Sequence, residues 1–142
     1  MSQENVERLR AAVEAFLVGT GESDREGMLT RVAEAWDPEI EWDASELPLP
    51  DLARVVRGRE AVRRWWGDFL GAWETTRFEY ELVESANRVV VLLDQQMRGR
   101  STGIEVALGK YALTNTFVDG LVVHMKMYMS QTDALEAVGL SE

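Results

Sequence analysis

Residues 104–129 read IEVALGKYALTNTFVDGLVVHMKMYM, and the alternation within them decides the fold. Ile104, Val106 and Leu108 place their inward set at even positions, whereas Tyr111, Leu113, Asn115 and Phe117 place it at odd ones. Side chains on a strand alternate between faces with a period of two, so the phase changes at Gly109. A one-residue slip at a glycine is what a bulge or sharp bend produces. Asp119-Gly120 is a tight-turn pair, and the strand beyond it puts Leu121, Val123, Met125, Met127 and Met129 on one face. Val122, His124, Lys126 and Tyr128 take the other face. The stretch predicts two antiparallel strands, the first of them bent.

Working upstream, Phe78, Tyr80 and Leu82 alternate with charged residues from Thr76 onward, and Asn87 marks a turn into a long strand over 88–100. Val89, Val91, Leu93, Gln95 and Met97 are its inward set, and Gly99 to Gly103 makes the next turn. Before Thr76 the period is helical. Val6, Leu9, Val13, Phe16 and Leu17 form one helical stripe; Met28, Leu29, Val32 and Trp36 form a second that Asp37-Pro38 ends. Ser23-Asp24-Arg25-Glu26 matches a capping box at the start of the second helix. A short strand over 39–43 and a loop with Pro48 and Pro50 follow. Gly58 then precedes a third helix over 59–74, with Val62, Trp65, Trp66, Phe69, Leu70 and Trp73 on its broad buried face and Gly67 and Gly71 opposite. Thr132 or Asp133 caps a closing helix that stops at Gly139. Short turns require antiparallel neighbours, so the pattern predicts an α+β fold: an antiparallel meander with the helices gathered on one face.

Nothing breaks the chain into parts, and all 142 residues read as one domain, 1–142. The absence of cysteine rules out disulfides and thiolate chemistry, and a single histidine makes a histidine-based metal site a poor expectation. The net charge is −10, which disfavours nucleic acid and anionic membrane surfaces as partners. That charge is uneven, with −9 over residues 1–53 and +4 over 54–64, where Arg54, Arg57, Arg59, Arg63 and Arg64 cluster. Such a cluster is expected to be a solvated face paired with nearby carboxylates, the other reading being an anion site. With no apolar run of signal or transmembrane length, the sequence points to the cytoplasm.

Parity leaves four polar groups pointing inward: Tyr80, Gln95, Tyr111 and Asn115. They stand among Trp42, Leu113, Phe117 and the soft wall of Met125, Met127 and Met129. Apolar walls with a few convergent hydrogen-bonding groups describe a small-molecule pocket. The other reading is a filled core whose polar groups satisfy one another.

Several short motifs carry a family resemblance across nearly the whole chain. They are Trp36-Asp37-Pro38, Ile40-Glu41-Trp42, Gly58-Arg59-Glu60-Ala61-Val62, Arg88-Val89-Val90-Val91-Leu92, the Asp119-Gly120 hairpin into Met127-Tyr128, and Ala134 to Leu140. In these the chain resembles the nuclear transport factor 2-like superfamily, in particular its SnoaL-like proteins. The resemblance implies a curved sheet wrapped around helices as a cone with a deep apolar pocket, commonly in a homodimer. It places polyketide cyclases, isomerases, epoxide hydrolases, dehydratases and many non-enzymes among the relatives. The enzymes of that group work without cofactors, using carboxylates and tyrosines in an apolar cavity.

Carried over by position, the resemblance makes Asp43 the candidate catalytic base. Leu113 stands where the isomerases place a protonated aspartate, and Phe16 approximates their tyrosine on the first helix. Both electrophilic partners are therefore absent, which argues against isomerase chemistry. Asp43 shares strand parity with Glu41, opposite Ile40 and Trp42, and Asp94 is also on an outward parity. A carboxylate turned into the cavity would have a raised pKa. Two readings follow. One is a protein that holds a small apolar ligand in the pocket; the alternative is a cofactor-independent acid–base enzyme acting on a small apolar carbonyl or polyketide-like substrate. The outer face carrying His124, Lys126 and Tyr128 is the expected homodimer surface.

Overall fold

The computed structural model describes residues 2–19, 25–47 and 54–140. Two helices come first, α1 (Ser2–Gly19) and α2 (Arg25–Ala33), followed by strands β1 (Trp36–Asp43) and β2 (Val55–Arg57). Helix α3 (Arg59–Ala72) then leads into the meander β3 (Trp73–Ser85), β4 (Arg88–Gly99), β5 (Glu105–Val118) and β6 (Leu121–Tyr128), and α4 (Gln131–Ala137) closes the chain. Ser23 and Asp24 of the expected capping box lie outside the described residues, as do Pro48, Pro50 and the side chains of Phe16, Leu17, Met28 and Leu108.

The six strands form one curved sheet in the order β2-β1-β6-β5-β4-β3. From β3 to β6 every neighbour pair is antiparallel, as the short turns require. β1 joins β6 in parallel, so the sheet is mixed. Local sequence could not announce that pairing, because a parallel partner is chosen by tertiary contact and not by a turn. Trp36 belongs to this strand rather than to α2, and Pro38 lies where the β1–β6 register is interrupted and no ladder N–H is needed.

The phase change in β5 is a bulge. Gln95 faces Gly109 and Gln96 faces Ala107, so Leu108 is the extra residue, with Gly109 at φ 73°. A second register shift at Thr116/Phe117 corrects the reading of β6. It brings Val122 into the inner core, fully buried, in place of Leu121 and Val123. Ile104, expected inward, is 61% exposed because it lies before the strand begins.

The helices do not all gather on one face. Leu9 of α1, Leu29 of α2 and Val62, Trp65 and Phe69 of α3 share a core with Val89, Val91, Leu93, Met125 and Met127. Helix α4 lies on the opposite side, where Ala134 and Val138 bury Val90 and Ala112. The run Val89-Val90-Val91 is therefore apolar without alternation because β4 is covered on both faces. Ser130, not Thr132 or Asp133, caps α4, its hydroxyl accepting from the Asp133 amide at 3.2 Å. Within α3, an added Cβ on Gly67 would touch Leu29 at 3.6 Å, so this glycine marks the close passage of α2.

Candidate functional site

A cavity opens between the sheet and the first three helices, with about 670 Å³ of empty space counting its mouth. Leu9, Ala12 and Val13 of α1 and Leu29 and Val32 of α2 form one side; Trp36 and Trp66 close another. The sheet contributes Phe78 from β3, Val91 and Leu93 from β4, Met125 from β6, and Tyr111, Leu113 and Asn115 from β5. The bulge at Gly109 is what returns Tyr111, Leu113 and Asn115 to the inner face. Among the described lining residues there is no aspartate, glutamate, histidine, lysine or arginine.

Two polar side chains of β5 face this apolar space. Tyr111 donates its hydroxyl proton to the Gln95 side-chain carbonyl, and Gln95 in turn donates through Nε2 to Thr75 Oγ1 at 2.8 Å. Gln95 thus stands behind Tyr111 and is 1% exposed. Burial pushes the Tyr111 phenol well above the usual tyrosine range, so it stays neutral. Asn115, also 1% exposed, donates through Nδ2 to the carbonyl oxygens of Val89 at 3.3 Å and Leu113 at 3.4 Å. Its Oδ1 accepts no hydrogen bond from any described residue.

Asp43 lies on the other face. The parallel register sets Trp42 opposite Met125 and Asp43 opposite Lys126, and Met125 is the one that lines the cavity. The Asp43 carboxylate receives the Ser45 amide at 3.0 Å, the Ser45 hydroxyl at 2.6 Å and Lys126 Nζ at 3.3 Å. Partial burial raises its pKa, but the Ser45 hydrogen bonds and the contact and charge of Lys126 outweigh it, and the net direction is downward. The carboxylate is not turned into the cavity, and the rise expected of an inward carboxylate is not found. Strand parity, which opposed the positional analogy, decides where this carboxylate points.

The same architecture occurs in other proteins. Residues 6–125 match the family model of the SnoaL-like domain. This chain belongs to the SnoaL-like domain family. No curated protein matches it. Among solved structures it is similar to an NTF2-like protein from Burkholderia xenovorans LB400, at 25% identity over 96% of this chain and 95% of that one, with a TM-score of 0.67. An NTF2-like protein of unknown function from Burkholderia pseudomallei K96243 is 19% identical over 96% of this chain and 98% of that one, with a TM-score of 0.67. TerC, co-crystallised with polyporic acid, is 17% identical over 95% and 97% of the two chains, with a TM-score of 0.67.

In this SnoaL-like chain the remaining expected pocket residues divide by distance from the cavity. Trp42, Phe117 and Met127 are buried in the surrounding core, and Met129 is partly buried against it. Tyr80 packs against the core from the same face as Phe78 but off the cavity wall, its hydroxyl donating to Glu14 of α1 at 3.2 Å, while Phe78 stacks beside it and takes the cavity position. The helical half of the lining was legible as amphipathic stripes, yet a stripe looks the same whether it meets a filled core or a hollow one. Trp66 packs against Trp42 and Trp65 at 5.3 and 5.0 Å between ring centres, a cluster that braces the cavity floor.

The SnoaL-like outer surface is charged and internally paired. Glu41 meets Arg57 at 3.1 Å and His124 at 3.7 Å. Lys126 lies 5.0 Å over the Tyr128 ring, and Tyr128 packs against the α4 cluster. Of the clustered arginines, Arg54 donates to the Ser45 carbonyl at 3.0 Å, Arg59 to the Trp36 carbonyl at 3.1 Å, and Arg63 pairs with Glu60 at 3.7 Å. Asp94 pairs with Arg77 at 3.3 Å. No helix among the described residues is long and apolar enough to cross a membrane.

Proposed function

We propose that this SnoaL-like chain holds a small, uncharged, largely apolar molecule in the cavity between the sheet and helices α1 to α3. The single observation that carries the reading is the chemistry of the lining. Its described residues are apolar apart from Asn115, Tyr111 and the indole N–H groups of Trp36 and Trp66, and they include no acid, base or cation. An unpaired charge inside such walls is costly, so a neutral ligand fits and an anionic one does not. A proton-transfer enzyme needs a titratable group within reach of its substrate. The candidate base, Asp43, is ion-paired to Lys126 on the far face of β1, which supports retention of a ligand over its turnover.

Calorimetric titration with naphthalene and with 2-naphthoate tests this. The neutral hydrocarbon is expected to bind and the carboxylate to bind far more weakly, and Leu113→Trp, which fills the cavity, is expected to abolish binding. Equal binding of the carboxylate, or full binding by the Leu113→Trp protein, overturns the reading.

A further inference from the structure

We infer that Asn115 selects, among apolar molecules entering the cavity, those that present a hydrogen-bond donor such as a phenolic or alcoholic O–H. The inference rests on the reading of the cavity as the ligand site and names the polar feature that the ligand carries.

A primary amide has two N–H donors and one carbonyl acceptor. Asn115 points Nδ2 at two carbonyl oxygens, those of Val89 and Leu113, at 3.3 and 3.4 Å. Reversing the amide would set its oxygen against both carbonyls, so the hydrogen-bond pattern fixes the orientation. Both donors are thereby used within the sheet. The oxygen that is left has no partner among the described residues, although the side chain is 1% exposed and lines the cavity wall. An acceptor in an apolar wall favours a ligand that brings a proton to it and penalises one that covers it with a methyl group. Asn115 faces Met125 on β6 and Val89 on β4, so two packed neighbouring strands fix its place. A donor fixed this way at one end would also set the direction in which an elongated ligand enters.

The probes are 2-naphthol, 2-methoxynaphthalene and naphthalene, titrated calorimetrically into the intact protein near neutral pH. Partitioning out of water alone favours the ether and the hydrocarbon, so any preference for the naphthol comes from the hydroxyl. We expect 2-naphthol to bind about tenfold tighter than either analogue, the discrimination that one buried hydrogen bond supplies. That advantage should disappear in Asn115→Leu, which keeps the branched shape and lacks the acceptor. Equal affinities for all three probes in the unaltered protein overturn the inference and leave the cavity reading intact. A preference that survives in Asn115→Leu removes the role from Asn115. Binding of none of the probes overturns the cavity reading itself, and the inference with it. Because the three probes are compared on the unaltered chain, the result stands even if the variant folds poorly.

Discussion

Asp43 and Lys126 face each other at 3.3 Å across the parallel pairing of β1 and β6, on the side of the sheet away from the cavity. The pair fastens the strand that begins the sheet to the strand that ends it. Two further hydrogen bonds from Ser45 hold the carboxylate in place.

Asp43→Asn should therefore destabilise the protein by about 1–2 kcal/mol near neutral pH, the scale of lost charge-assisted hydrogen bonds at a partly shielded site. Ligand affinity should not change. The pH dependence has a definite sign. The folded-state pKa of Asp43 lies below the ordinary value of 3.8, so the group stabilises the fold above that value and loses its contribution as pH falls through the lower, folded pKa. Urea unfolding at pH 7 and at progressively lower pH should show the gap between variant and parent closing in the acid range.

Tyr111 gives a spectroscopic prediction. The chain has three tyrosines, and burial raises the pKa of Tyr111. Alkaline titration followed in the ultraviolet should show Tyr111 withholding its tyrosinate signal until the fold is lost. Tyr111→Phe leaves the buried Gln95 carbonyl without its donor and should cost about 1–3 kcal/mol in denaturant unfolding.

Gly109 adopts φ 73° at the β5 bulge, and an added Cβ meets nothing within 4 Å. The cost of substitution is therefore conformational and not steric crowding. Gly109→Ala should lose about 1–2 kcal/mol, and Gly109→Val should lose more, since a branched Cβ tolerates this region least. Equal stability of the valine variant would show that the bulge does not depend on glycine.

Ser130→Ala removes the side-chain cap of α4 and should cost about 1 kcal/mol in thermal or urea unfolding. Because α4 covers Val90 and Ala112, the variant should also bind more of a dye that reports exposed apolar surface.

Periodicity made much of this legible. The change from a 3.6 to a 2 period near Thr76 located the meander, and the slip at Gly109 located the bulge, because both follow from local geometry. Tyr111, Leu113, Asn115 and Met125 were readable as wall residues by parity. Three kinds of information were not local. The parallel β1–β6 pair depends on a contact across most of the chain. The outer position of α4 was hinted at only by Val90 and Leu92 breaking the alternation of β4. The bulge after Thr116 had no glycine to announce it, so Val122 and Val123 were exchanged. For the site, the stripe Leu29, Val32 and Trp36 looked like ordinary core, since apolar patterning records that a face is covered and not how closely.

The union of β1 with β6 also governs when the cavity can exist. Lys126 and Asp43 are 83 residues apart in the chain, and the walls draw on Leu9 at one end and Met125 at the other. The cavity is therefore complete only once β6 has joined β1. No nascent segment short of β6 possesses the site. A molecule lodged there recognises only the finished protein, so it lengthens the lifetime of the native state by retarding unfolding while leaving the rate of folding untouched.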